Sequence, residues 1–222
     1  TPPVDAAGLR AEILRQFRAG RGAVDLFFLQ GSGGGSLSML VEQLDKYFPG
    51  EGYALGTALL AGGEPSVTAR QGYELMALAR LSREIASRES REASGSHQLC
   101  QYGKDSEFQH AFDRFLEHYG HRGLYETYFR NPRWREAPEY LLSSLAQLAE
   151  VDEAALRARQ QAAVAEALTR IKVGVPFWKR AFIRGLVKAA RQECNQREAA
   201  RSALVAYMEP ERQLLLAAGR YL

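Results

Sequence analysis

FWKRAFIRGLVKAARQECNQREAARSALVAYMEPERQLLLAAGR, residues 177–220, decides the fold. Phe177, Trp178, Phe182, Ile183, Leu186 and Val187 recur at the spacing that places side chains on one face of an α-helix. The helical pattern continues to Arg220, and Pro210, which lacks an N–H, is the expected place for a kink. Working outward, Gly174-Val175-Pro176 is a turn, and before it Asp152 caps a helix from Glu153 to about Ile171. Pro138 stands at the first position of a helix reaching Leu148. A stripe of Phe108, Ala111, Phe112, Phe115, Leu116 and Tyr119 marks another helix, capped by Asp105 or Ser106 and stopped by Gly120.

Towards the N-terminus the helical period persists. Helices are predicted from Val4-Asp5 to Gly20, from Leu37 to Phe48, from Tyr53 to Leu60 and from Thr68 to about Glu92, with residues 91–105 a polar loop. No stretch alternates with period two for long enough to be a strand, so the predicted fold is all-α: a multi-helix bundle with one very long C-terminal helix.

The chain has 222 residues, 46% of them hydrophobic and 25% charged, which is the composition of a globular protein. That length holds one large domain or two small ones, and the expectation is a single helical domain over residues 1–222. Thr1-Pro2-Pro3 reads as a cut inside a longer, multidomain enzyme. Net charge is only +3, yet residues 170–201 hold nine Lys and Arg against Glu193 and Glu198. This local +7 faces 20 basic and 24 acidic residues elsewhere, a remainder of −4. Apolar residues interleave the basic stretch at helical spacing, which argues for a core helix with a basic outer face and against nucleic acid. Its functional reading is a docking surface for an acidic partner domain. Cys100 and Cys194 make no disulfide framework, no apolar run reaches a membrane span, and the expected location is the cytoplasm.

The densest chemistry lies in HRGLYETYFRNPRWRE, residues 121–136, which has no helical period. Four arginines (Arg122, Arg130, Arg133, Arg135) stand among Tyr125, Tyr128, Phe129 and Trp134. Arginine forks bind carboxylate or phosphate bidentately, and aromatic faces stack guanidinium groups or apolar ligands. Such residues on irregular backbone are placed like a binding site. The structural alternative is a loop whose arginines cap helix carbonyls and pair with Glu126 and Glu136. Arg197, Glu198 and Arg201 share one helical face and are either a charged cluster meeting this loop or a solvated surface. The GSGGGS tract at residues 31–36 lacks the lysine of a phosphate loop and is either a flexible linker or a native helix break. His97, His110 and His118 have no ligand-like spacing, so no metal site is expected, and no GxSxG nucleophile motif occurs.

The order YGHRGLYE (119–126), NPRWREAP (131–138) and then RExxR (Arg197, Glu198, Arg201) resembles the central, substrate-binding helical domain of phosphoenolpyruvate-utilising, dikinase-like enzymes, the PEP synthase and rifampin phosphotransferase family. LLAGGE, residues 59–64, is similar to that family's helix-ending segment, and the likeness covers most of the chain. It implies a parent enzyme in which an ATP-grasp domain, using ATP and Mg, makes a phosphohistidine on a swivelling domain. The swivelling domain then passes phosphate to a small, partly apolar acceptor held by the helical domain. No cofactor is implied in this domain, and neither partner domain's motifs occur in it.

By matching positions, the resemblance implies a charged framework of His121, Arg122, Glu126, Arg133, Arg135, Arg197, Glu198 and Arg201. As a site, His121 would be a general base, with arginines stabilising the transferring phosphoryl group. As structure, Arg122, Glu126 and the RExxR helix would form a paired network that fixes the loop. Phe27, Phe28, Tyr53, Tyr125, Tyr128, Phe129 and Trp134 are the aromatic candidates for an acceptor pocket. The competing function is a non-catalytic helical module docking an acidic protein, which predicts an exposed apolar or basic patch.

Overall fold

The computed structural model describes residues 5–20, 28, 34–92 and 107–219. Among them are eight helices and no strand: α1 (Ala6–Ala19), α2 (Gly35–Asp45), α3 (Gly52–Ala61), α4 (Val67–Glu92), α5 (Glu107–Tyr119), α6 (Glu139–Leu148), α7 (Glu153–Gly174) and α8 (Phe177–Ala218). The fold is all-α, as the periodicity predicts. α8 runs 42 residues with Pro210 inside it. The helix continues past this proline, although the ring removes one backbone hydrogen bond.

Sequence-local chemistry accounts for several helix ends. The Asp5 carboxylate accepts from Gly8 N at 2.6 Å and the Asp152 carboxylate from Ala155 N at 2.9 Å, each satisfying an orphan donor of a first turn. Pro138 takes the N-cap of α6, with Glu139 as the first helical residue, one position later than predicted. α7 passes Ile171 and stops only at Gly174, because Pro176 cannot join it. The cap of α5, Phe27 and residues 31–33 lie outside the described residues. Gly34 offers α2 no side-chain cap. Glu193, far along the chain on α8, does the work: its carboxylate accepts from Ser36 N at 3.0 Å and from the Ser36 hydroxyl.

The chain divides into two compact units. One comprises Thr1–Val24, Arg70–Val151 and Ser202–Leu222. Its core includes Phe108, Phe112, Phe115 and Tyr119, four of the six residues of the predicted α5 stripe, at spacings of four and three, with Ala111 and Leu116 half-buried beside them; Leu141 and Leu145 of α6 and Val205 and Leu214 of α8 join it. The Tyr119 hydroxyl donates to Glu74 of α4 at 2.9 Å, and burial with this bond pushes it up to about 12.

The other unit comprises Asp25–Ala69 and Asp152–Arg201. There α2 and α7 pack on α3 around Leu40, Leu44, Leu55, Leu59, Ala167, Ile171, Val175, Ile183 and Leu186. Arg170 grips Glu51 with both terminal nitrogens, at 2.6 and 2.7 Å, while its guanidinium stands 5.0 Å above the Phe48 ring.

One expectation fails in this unit. Val173, Phe177, Trp178 and Phe182 are not core; they are 82%, 75%, 65% and 48% exposed. The buried stripe of α8 is Ile183, Leu186 and Ala190, and the aromatic side chains N-terminal to it fall off that face.

Candidate functional site

The loop from Gly120 to Glu136 follows α5 and doubles back on itself. Trp134 N donates to the Arg122 carbonyl at 2.8 Å and Arg135 N to the Gly120 carbonyl at 3.1 Å, tying its two ends together. This approach explains the glycines of YGHRG. A Cβ on Gly123 would stand 2.8 Å from the Pro132 carbonyl oxygen, and one on Gly120 would strike the Leu116 carbonyl. Trp134 stacks on Phe115 of α5 with ring centroids 6.3 Å apart.

Inside the loop the charged side chains satisfy one another. Arg122 Nε donates to Glu126 at 2.6 Å, and both residues are buried. Arg133, also buried, donates from Nη1 to the Glu126 carbonyl at 2.9 Å and from Nε to Glu209 of α8 at 3.2 Å. Arg212 on α8 is the principal clamp. Its Nη1 and Nη2 hold both carboxylate oxygens of Glu136, at 2.8 and 2.7 Å. Its Nε donates to the Phe129 carbonyl at 2.7 Å and Nη2 also to the Asn131 carbonyl at 2.9 Å. The Arg212 guanidinium and the bonds it makes hold the Glu136 carboxyl at about 2.

Arg212, Glu209 and Ser202 escaped the sequence reading. The Glu209-x-x-Arg212 spacing was visible, but an acid and a base three apart on a helix usually share only a surface pair, so nothing marked these two as buried.

Two buried donors in this loop have no acceptor among the described residues: Arg122 Nη1 and Trp134 Nε1. An unsatisfied buried donor costs about 1–3 kcal/mol, so natural folds keep few of them. His121, half-buried beside Arg122, shares a hydrogen bond of 3.1 Å between Nε2 and the Ser202 hydroxyl. Burial, reinforced by the charges of Arg122 and Arg135, moves the imidazole below its ordinary value. The shift favours the neutral imidazole, the form a general base needs.

The aromatic candidates separate sharply. Tyr125 (75% exposed) and Tyr128 (65% exposed) project from the loop, with Leu124 also exposed. Tyr125 adopts φ 51°, the left-handed region a β-carbon disfavours, and the bonds around it hold that strained turn. Phe129 is half-buried. Arg135 has an exposed side chain. Phe28 is 69% exposed; Tyr53, 67% exposed, belongs to the other unit. Arg197, Glu198 and Arg201 also belong to that other unit, where Glu198 accepts from the Thr68 hydroxyl at 2.6 Å.

That unit contains an open cleft of about 790 Å³ between α7, α8 and the end of α3. None of the loop residues lines it. Among the described helices, none is long and apolar enough to cross a membrane.

These features define an all-α domain whose YGHRG…PRWRE loop is locked by buried arginines. The family described as the rifampicin phosphotransferase fourth domain matches residues 30–198, about three-quarters of the chain. The chain belongs to that family, a domain of phosphotransferases. A comparison with curated proteins finds no match.

Proposed function

We propose that this chain is the acceptor-binding domain of an ATP-dependent phosphotransferase that works through a phosphohistidine relay. ATP-grasp and phosphohistidine domains of the same polypeptide would supply the phosphoryl group, ATP and Mg acting there. The acceptor is a small, partly apolar hydroxyl compound. The observation that carries the reading is the pair of buried, unanswered donors, Arg122 Nη1 and Trp134 Nε1, in the loop that holds His121. Oxygens of an acceptor or of a phosphoryl group are what such donors lack. In the transfer, the P–N bond of the phosphohistidine breaks and a P–O bond to the acceptor forms. The hydroxyl proton passes to His121. Exposed Tyr125 and Tyr128 would offer it apolar faces.

The test uses the complete enzyme with rifampicin as trial acceptor, reading AMP release. His121→Asn should lower acceptor-dependent turnover about 100-fold or more, with ATP-dependent self-phosphorylation unchanged. Turnover within threefold of the parent would remove His121 from the chemistry.

A second reading is favoured by the exposed Val173, Phe177, Trp178 and Phe182, which stand in the basic stretch beside exposed Lys172 and Lys179. An apolar patch ringed by cations suits docking against an acidic protein surface. The two readings are compatible, since an acceptor domain must also meet its donor.

A further inference from the structure

The cleft of the second unit has a composition that the acceptor reading does not use. Its floor is apolar: Val164, Leu168 and Ile171, spaced four and three on α7, face Ile183 and Val187, spaced four on α8. Leu168 is 53% exposed because its side chain stands in the opening. Along the α8 side run Arg184, Lys188 and Arg191, again spaced four and three, hence one row of cations. Glu64 is the single acid of the lining, so the cleft carries a local charge of +2.

These cations differ from their neighbours in how they are paired. Elsewhere in the unit Arg170 meets Glu51, Arg157 meets Glu153 and Lys46 meets Glu42. Among the described residues no carboxylate lies within ion-pair distance of Arg184, Lys188 or Arg191. Arg191 is nonetheless held in place, because its Nε and Nη2 donate to the Leu59 carbonyl at 3.1 and 2.5 Å. The wall beside it is bare backbone. A Cβ on Gly63 would stand 2.9 Å from Arg191 Cδ, and one on Gly62 2.8 Å from Val164 Cγ1. The LLAGGE segment therefore lets α3 end directly against this arginine.

We infer that the cleft binds an organic monoanion with an apolar body. The body lies on Leu168, Val164 and Val187, and the anionic head meets Arg184 and Lys188, with Arg191 as a fixed third cation. A volume of about 790 Å³ suits a ligand of metabolite size. Guanidinium and ammonium groups over an apolar floor select an amphipathic anion over a neutral apolar molecule. The site is distinct from the His121 loop, so it stands whether or not that loop handles the acceptor.

The test is titration calorimetry of the full chain with octanoate and with 1-octanol, which share a body and differ in charge. Octanoate should bind saturably, one per chain, and at least tenfold more tightly than 1-octanol. The double variant R184Q/K188Q changes only exposed side chains. It should lose at least tenfold in octanoate affinity and leave 1-octanol within twofold. Leu168→Asp should weaken both ligands, and Phe177→Ser, on the exposed aromatic cluster, should weaken neither. Circular dichroism confirms that each variant keeps its helices. Absence of saturable octanoate binding overturns the inference, as does equal octanoate affinity in R184Q/K188Q and the parent. Loss of binding in Phe177→Ser with R184Q/K188Q unaffected would move the site to the aromatic cluster and overturn it equally.

Discussion

Replacing Arg212 by Met should destabilise the protein by about 3 kcal/mol at pH 7, and two routes lead to that magnitude. Arg212 is 1% exposed and binds two carbonyls and two carboxylates. Removing one partner of a buried charge pair costs about 3–5 kcal/mol, and the low end applies here because the Glu136 carboxylate reaches solvent. The Glu136 carboxyl also sits at about 2 against an ordinary 4.5, and the hydrogen bond from Arg212 is the largest cause. Linkage would convert such a depression to about 3.4 kcal/mol at neutral pH, and because Glu136 is itself exposed, solvent screening leaves only part of that. The sign follows from the protons. The unfolded chain takes up a proton near 4.5 and the folded chain near 2, so the stabilisation is complete above 4.5 and fades as pH falls towards 2. At pH 3 less than half of it should remain. Thermal unfolding of the wild type and Arg212→Met, followed by circular dichroism, should show a Tm gap of about 6–12 °C at pH 7 for a chain of this length. The gap should shrink by more than half at pH 3. A gap below 2 °C at pH 7, or one that stays constant from pH 7 to pH 3, would refute the assignment of Arg212 as the clamp. Arg212→Lys should fall between the two, since an ammonium keeps the charge but cannot fork across Glu136 while reaching two carbonyls.

Three further outcomes are expected. Gly123→Ala places a methyl 2.8 Å from the Pro132 carbonyl oxygen and should cost about 1–3 kcal/mol in urea unfolding, whereas a neutral result would show that the loop relaxes freely. Tyr125→Gly relieves a φ of 51° at an exposed side chain and should leave stability unchanged or raise it by up to about 1 kcal/mol, the strain relief being offset by glycine's freer unfolded state. A loss of more than 1 kcal/mol would mean that the tyrosine ring packs. Glu193→Gln weakens the remote cap of α2 and should cost about 1 kcal/mol, with faster amide exchange at Ser36 as the local readout. Unaltered exchange there would mean that the cap is dispensable.

The fold was legible because its determinants are local. Asp5 and Asp152 cap the helices that follow them, and the α5 stripe needs only its own spacing. The failures were non-local. Whether Phe177 and Trp178 are core or surface depends on what faces them, and a period of 3.6 marks a face without saying what covers it. The candidate loop was half legible: its arginines, glycines and Glu126 announced a dense charged segment, and pairing of the arginines with Glu126 was one of the two readings that segment offered. Arg212, Glu209 and Ser202 were invisible. Each is an ordinary helical residue until the fold brings the loop against it.

The clamp also sets a timetable for synthesis. Phe129, Asn131 and Glu136 wait for an arginine that lies 76 to 83 residues further along the chain. At translation rates of about 5–20 residues per second, that is about 4–16 seconds during which the emerging loop has only its own hydrogen bonds. The loop is therefore translated early and finished late. A ribosome that stalled just before Glu209 would release a chain carrying every motif residue from His121 to Arg201 and, of the groups that hold the loop to α8, only Ser202. Such a chain would look intact by motif, and only its susceptibility to protease at residues 121–136 would give it away.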